Sequence, residues 1–247
     1  MLVSIIIPYF NDPKNIKTSI SSALKQTYSN IEIIVIDDEN SNLSKKILKK
    51  CLRLSKKIKI ISTKHNKGVG YARNLGVKNS KGELIAFLDS DDFWKKNKLK
   101  KQIKVMQEKK IDICYTDYKA FNENMKLCYK VKSPSKIDYK MLLKECPICC
   151  SSVILKRSVF NKHKFLSIKT KEDYELWLKL AKNNFTFGCV NEYLTFYKIR
   201  RNSLSSFHLN KILNAYQIYY YYNSFGLLSS LLFTLRLYCN AFIKKIN

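Results

Sequence analysis

Five short apolar runs punctuate the first half of the chain: LVSIII (2–7), IEIIVI (31–36), IKIIS (58–62), LIAFL (84–88) and IDICYT (111–116). Each is five or six residues long and rich in β-branched side chains, which suits a buried strand. Between them Ile16, Ile20, Ala23 and Leu24 recur at helical spacing, as do Ile47, Leu48, Cys51 and Leu52, and Leu99, Ile103 and Met106. Strand-helix alternation implies right-handed crossovers, so the expected class is α/β, a mostly parallel sheet with helices on both faces. In such sheets ligands bind beyond the carboxyl ends of the strands.

The polar residues that end each run therefore share one rim. The first run ends in Pro8-Tyr9-Phe10-Asn11, the second in Asp37-Asp38 and the fourth in Asp89-Ser90-Asp91-Asp92, while the third leads into TKHNKGVGYARN (63–74). One acidic tip would be an ordinary turn, and Asp92 alone could start a helix. Two acidic tips beside a loop bearing Lys67, Gly68, Gly70 and Arg73 are harder to dismiss. Crowded carboxylates repel one another, and a divalent cation keeps them ionised; Mg²⁺ takes one or two carboxylates and leaves its other positions to water and phosphate oxygens. Lys67 and Arg73 can pair with phosphate, and the glycines allow close backbone approach. That loop is neither a Walker A loop nor a dinucleotide fingerprint, and by itself it reads as a surface turn.

A chain of 247 residues suits one sizeable core, or one core with a small appendage. Lys and Arg total 46 against 19 acids, a net charge of +27, and all but six of the 46 are Lys. Either a basic face seeks nucleic acid, anionic lipid or a phosphate-bearing substrate, or a Lys-biased composition keeps the surface solvated. The eight cysteines show no disulfide framework. CPICC (146–150) lacks the second ligand pair that zinc requires, so a reducing cytoplasm fits.

The opening MLVSIIIPYFND has no basic n-region, and its apolar run breaks at Pro8, so no signal peptide is expected. Near the other end, FGLLSSLLFTLRLYCNAFIKK (225–245) is about as long as a membrane span. Its central Arg236 costs roughly 2.5–3.5 kcal/mol on insertion, so a helix lying in the membrane plane fits better. Leu228, Leu231, Leu232, Leu235, Tyr238, Cys239 and Phe242 would form its apolar face, with Arg236, Lys244 and Lys245 at anionic head groups. The alternative docks that face on the chain's own core or on a second subunit, which leaves an oligomer open.

SIIIPYFN (4–11), QTYSNIEIIVIDD (26–38), NKGVGYARNLG (66–76), GELIAFLDSDD (82–92) and KEDYELWLKLA (171–181) stand in the order and spacing of glycosyltransferase family 2. The chain resembles these inverting nucleotide-sugar transferases over roughly residues 2–205. The resemblance implies a GT-A type, Rossmann-like domain over 1–205, with a nucleotide-sugar-binding half (1–117) and an acceptor and catalytic-base half (118–205). Residues 206–247 would be a helical extension that touches the membrane.

The family's roles then fall on particular residues. Pro8, with Tyr9 and Asn11, and Asp38 match the nucleoside pocket, Asp38 as partner of the base. Arg73, with Lys67, matches the basic group near the diphosphate. Asp91 and Asp92 match the residues that hold ribose and metal, and Asp89 completes the set as a third ligand or as a brace. Asp173 matches the catalytic base. The implied partners are a UDP-sugar or similar donor, a saccharide or lipid-linked acceptor, and Mg²⁺ or Mn²⁺, at the inner face of the membrane and without nucleic acid.

TKEDYELWLKLAKN (170–183) has its own physical reading, a helix burying Tyr174, Leu176, Trp177, Leu180 and Ala181. Acids in its first turn would also serve the helix dipole. Two departures from the family stand out. DDEN (37–40) replaces the usual DDGS, and FYKIRRNSLS (196–205) carries Arg200 and Arg201 where many relatives have a His. Arginine cannot ligate a metal, though it can clamp phosphate. A basic nucleic-acid-binding protein and an inactive scaffold are the alternative readings. The first leaves the carboxylate cluster without purpose, and the retained Asp91, Asp92 and Asp173 argue against the second.

Overall fold

The computed structural model describes residues 1–199 and 209–246. All five apolar runs form strands: β1 (Val3–Tyr9), β2 (Ile31–Asp37), β3 (Ile58–Ser62) and β4 (Leu84–Phe87), with the fifth run becoming β6 (Ile113–Phe121) after a two-residue β5 (Phe93–Trp94). Helices α1 (Ile16–Leu24), α2 (Asn42–Leu52), α3 (Val69–Lys78) and α4 (Lys98–Glu108) lie between them. The second half adds β7 (Leu127–Val131), a single helical turn α5 (Tyr139–Leu142), β8 (Ile154–Lys156), α6 (Glu172–Lys182) and β9 (Phe187–Lys198). Helix α7 (Leu209–Gln217), a π-helical turn (Ile218–Tyr222) and α8 (Leu227–Ile246) follow.

The strands form one sheet in the order β3-β2-β1-β4-β8-β6-β9-β5, with β7 paired to β6. β1 to β4 pair in parallel, as the crossover helices require. CPICCSSVILKRS (146–158) runs into the sheet, where β8 enters antiparallel between β4 and β6. It brings the turn at Cys150–Ser152 beside the tip of β4.

Alternate residues supply two cores, one on each face. Ile6, Ile34, Ile36, Ile85 and Phe87 join Trp177, Leu180 and Phe165 on one face; Ile5, Ile7, Ile33, Val35 and Leu88 join Ile16, Ile20, Leu99 and Ile103 on the other. Strands buried on both faces explain the near-continuous apolar runs.

In the C-terminal helix the leucines face outward, as a helix lying in the membrane plane requires, and only the alternative of docking them on the core is not met. Leu228, Leu231, Leu232, Leu235 and Cys239 are exposed, whereas Ser230, Thr234 and Leu237 are buried against the protein. The leucine face therefore does not dock on the chain's own core.

Candidate active site

Parallel pairing brings the carboxyl ends of β1 to β4 to one rim. Tyr9 sits in register with Asp37, and Asp37 with Ser62. The tips are then laced together: the Asp38 amide donates to Tyr9 O (2.9 Å), the Asn11 amide to Glu39 Oε2 (2.9 Å) and the Ser90 hydroxyl to Asp12 Oδ2 (3.1 Å). Ser19 Oγ lies 2.8 Å from Ser90 O and 2.5 Å from Asp92 O, fixing the turn after β4 from below.

The DDEN departure is accommodated by its own side chains. Asn40 takes φ 55°, a conformation Asn tolerates, and its amide donates to Asp37 Oδ1 at 3.0 Å. Glu39 Oε1 accepts from Ser41 Oγ (2.7 Å) while Oε2 holds Asn11. Glu39 thus ties the β2 tip to the β1 tip, a contact that the family pattern gave no reason to expect.

Several expected ligand-binding residues are engaged within the protein. Buried Asp38 accepts from Thr63 Oγ1 (2.8 Å), from the Lys67 amide (3.1 Å) and from the Gly68 amide (2.8 Å), filling the amide cradle before α3. Gly68, at φ 88°, adopts a backbone that only glycine takes readily, which aims its amide at Asp38. A Cβ on Gly70 would lie 2.3 Å from Leu166 O, so its missing side chain makes room for the protein's own backbone, not for a phosphate. Pro8 and Tyr9 are buried in β1, and burial, followed by Glu39, Asp12 and Asp37, pushes the Tyr9 hydroxyl up to about 12. Asn11 and Lys67 remain exposed at the rim, with Lys67 Nζ 4.8 Å from the Tyr71 ring centroid.

The acidic segment divides into three environments. Asp89 Oδ1 meets Arg73 Nη2 at 2.8 Å, and the Asp89 amide donates to Ser151 Oγ at 3.0 Å. Asp91 is half-buried. Asp92 has no exposed surface; its Oδ1 accepts from the Lys198 amide at 2.8 Å, and its Oδ2 is buried without a hydrogen-bond partner. Burial, then the charges of Asp91 and Asp89, drives the Asp92 carboxyl well above its ordinary range.

The expected metal set of Asp89, Asp91 and Asp92 does not converge. Among the described residues no group of three or more His, Cys, Asp or Glu side chains could hold a metal ion. The reason is competition: Arg73 engages Asp89, and Asp92 is turned inward to Lys198. The acidic turn therefore does not fit an all-protein cage for a cation.

Across the cleft, Glu172 and Asp173 open α6 after Lys171, whose backbone takes φ 65°. Arg73 reaches them from α3. Its Nη1 lies 2.5 Å from Glu172 Oε1, and its guanidinium stacks 5.3 Å from the Phe165 ring centroid. Arg73 is only 3% exposed, so it lies beneath the rim rather than on it, as a bridge between Asp89 and Glu172. Burial pushes Glu172 up to about 7 against the opposing pull of Arg73. Burial likewise raises Asp173, opposed by Arg73 and by the Tyr174 amide, which donates to Asp173 Oδ1 at 2.8 Å.

Cys149 and Ser151 were not singled out by the sequence. Burial, then the charges of Asp92 and Asp89, pushes the Cys149 thiol well up, and Ser151 Oγ accepts from the Asp89 amide. Arg200 and Arg201 lie outside the described residues. Lys198, two positions earlier, sits on this rim with Nζ 2.7 Å from Asn15 Oδ1.

With this geometry in place, comparison with known proteins is informative. The profile of "Glycosyl transferase family 2" matches residues 4–164. A UDP-Glc:alpha-D-GlcNAc-diphosphoundecaprenol beta-1,3-glucosyltransferase, WfgD, from Escherichia coli is 41% identical over 208 residues, spanning 83% of this chain and 80% of that protein. The putative teichuronic acid biosynthesis glycosyltransferase TuaG from Bacillus subtilis is 32% identical, spanning 83% and 82%. Among solved structures, S. aureus TarS 1–349 in complex with UDP-GlcNAc superposes with a TM-score of 0.76 at 21% identity, covering 100% of this chain and 76% of that one. The mannosyltransferase PcManGT from Pyrobaculum calidifontis, in complex with GDP-Man and Mn²⁺, gives 0.69 at 12% identity, covering 98% and 75%. These two likenesses concern the fold, a GT-A arrangement; the sequence matches and the shared order of motifs carry the further conclusion that this chain belongs to glycosyl transferase family 2.

Proposed function

We propose that this protein is an inverting transferase that moves a sugar, glucose or a close relative, from UDP to a hydroxyl of a diphospholipid-linked saccharide during cell-surface polysaccharide synthesis. The observation that carries the reading is the bridge through buried Arg73, which ties the acidic turn after β4 to the Glu172-Asp173 pair opening α6. The relatives' names supply the donor and acceptor classes: UDP-Glc and a GlcNAc-diphosphoundecaprenol for two Escherichia coli proteins at 41% and 39% identity.

In this reading Pro8, Tyr9, Asn11 and Asp38 shape the nucleoside end of the rim, with Asp38 working through the loop it holds. Lys67, Arg200 and Arg201 supply positive charge toward the diphosphate. Arg73 is a positioning residue. Asp91 would hold a divalent cation, and such an ion, when bound, offsets charge on the departing diphosphate. Asp173 accepts the proton of the acceptor hydroxyl as that oxygen attacks the anomeric carbon from the face opposite the diphosphate. Burial raises its carboxyl, which makes it a stronger base than an exposed Asp.

The test is incubation with UDP-glucose, Mn²⁺ and a GlcNAc-diphospholipid. The reading expects release of UDP that depends on both lipid and metal, with a β-linked product. An α-linked product would contradict inversion, and absence of nucleotide-diphosphate binding would remove the reading altogether.

A further inference from the structure

The most apolar face of α8 points away from the protein. Leu227, Leu228, Leu231, Leu232 and Leu235 are 64%, 78%, 49%, 66% and 54% exposed. At helical spacing these leucines fill a sector of about 140°. The docked face carries Leu237 and Phe233 together with the small hydroxyl residues Ser230 and Thr234. Thr234 Oγ1 donates to Ser230 O at 2.7 Å, and Asn240 Nδ2 donates to Lys144 O at 3.0 Å. Tyr221 and Tyr222, 67% and 46% exposed, extend the outward surface from the preceding π-helical turn. A contiguous apolar stripe of this kind on a folded protein marks a binding surface.

Charge identifies the occupant. Helix α8 contains no Asp or Glu and three basic residues, Arg236, Lys244 and Lys245. Exposed Arg236 borders the stripe. Among the described residues no helix is long and apolar enough to cross a membrane. Leucines in a broad stripe, tyrosines beside it and a basic surround match a helix lying in a negatively charged lipid surface.

We propose that α8 seats the protein on an anionic bilayer, with Leu228, Leu231, Leu232 and Leu235 in the headgroup and acyl boundary. This seat is joined to the cleft. Tyr219 OH lies 2.6 Å from Tyr174 OH and 3.0 Å from Leu143 O, and Tyr174 directly follows Asp173. The Phe233 ring of α8 packs 5.4 Å from that of Tyr219, so the membrane-facing helix and the start of α6 are one packed unit. The transferase reading above supplies only the purpose of the contact, delivery of a lipid-linked acceptor; the contact itself needs neither donor nor acceptor.

The experiment is co-sedimentation of the full chain with vesicles, without nucleotide. Vesicles of phosphatidylglycerol and phosphatidylcholine should bind at least tenfold more tightly than pure phosphatidylcholine. The double variant Leu231→Gln/Leu235→Gln should weaken binding at least tenfold while keeping its melting temperature and UDP affinity, and Arg236→Glu should weaken binding to the anionic vesicles alone. Absence of vesicle binding, or binding indifferent to the leucine changes, overturns the proposal. A dimer that the leucine changes dissolve, with no vesicle binding, would overturn it in favour of a self-interface. If UDP binding and transfer persist while vesicle binding fails, only the membrane seat falls; if vesicle binding holds while UDP binding is absent, only the transferase reading falls.

Discussion

Arg73 and Glu172, 99 residues apart, meet at 2.5 Å, while the other arm of the same guanidinium meets Asp89 at 2.8 Å. One buried cation thus fixes the distance between the acidic turn and the start of α6. Removing it leaves Glu172 uncompensated in the interior. Arg73→Met should cost about 3–5 kcal/mol of stability in urea denaturation, the range for breaking a buried ion pair from one side. Arg73→Lys should fall between, because a lysine cannot span both carboxylates. A loss below about 1 kcal/mol for the methionine variant, the range of exposed pairs, would show that the bridge contributes little.

The same pair predicts a pH dependence. Burial holds Glu172 at about 7, above the ordinary Glu value near 4.3 that applies when unfolded. The folded state then binds this proton more tightly. The contribution of Glu172 to stability accordingly declines as pH rises from about 4 to about 7, and is level beyond. Glu172→Gln has no proton to lose. Melting curves at pH 5 and pH 8 should differ less for the variant than for the parent; an unchanged difference would contradict the assignment.

Asp91 and Asp92 should respond in opposite ways. Asp92 is fully buried and its carboxyl is raised by burial and by Asp91 and Asp89, so a neutral amide resembles the form that the interior favours. Asp92→Asn should leave melting temperature unchanged or raised. Asp91→Asn should lower metal-dependent transfer by about 10²–10³-fold, the usual loss of one preorganised electrostatic stabiliser, with little effect on melting. Parallel melts and turnover measurements separate the two. Equal loss of turnover with a large fall in melting for both would place them in one structural role.

Much of this was legible in the sequence because it follows from local pattern. β3 matches its apolar run residue for residue, and α6 buries the predicted face of Tyr174, Leu176, Trp177, Leu180 and Ala181. The residues of the rim were legible for the same reason, since parallel strands put their tips on one edge. Three features were not. Arg73 carried a charge that suited phosphate, and only the tertiary fold shows two carboxylates already holding it. Asp38 likewise could not announce that amides 29 and 30 residues onward would fill its oxygens. In α8, hydropathy grouped the leucines on one face, but it did not show that Leu237 with the small hydroxyl residues Ser230 and Thr234 would form the opposite, inward face.

Gly70 tests the seam between α3 and the segment before α6. A methyl there would sit 2.3 Å from the backbone oxygen of Leu166, which a rotamer change cannot relieve. Gly70→Ala should cost roughly 1–3 kcal/mol, as overpacking does, and should lower transfer by displacing Arg73 three residues on. A variant as stable and active as the parent would show that the seam yields freely.

The account turns on Asp173 as the base, and the most direct measurement is UDP-glucose affinity and transfer rate on the same Asp173→Asn protein. Calorimetry should give donor affinity within about threefold of the parent, while turnover falls by about 10²–10⁴-fold, the contribution of a positioned general base. Transfer at the parent rate, or a loss of donor binding equal to the loss of turnover, would contradict it.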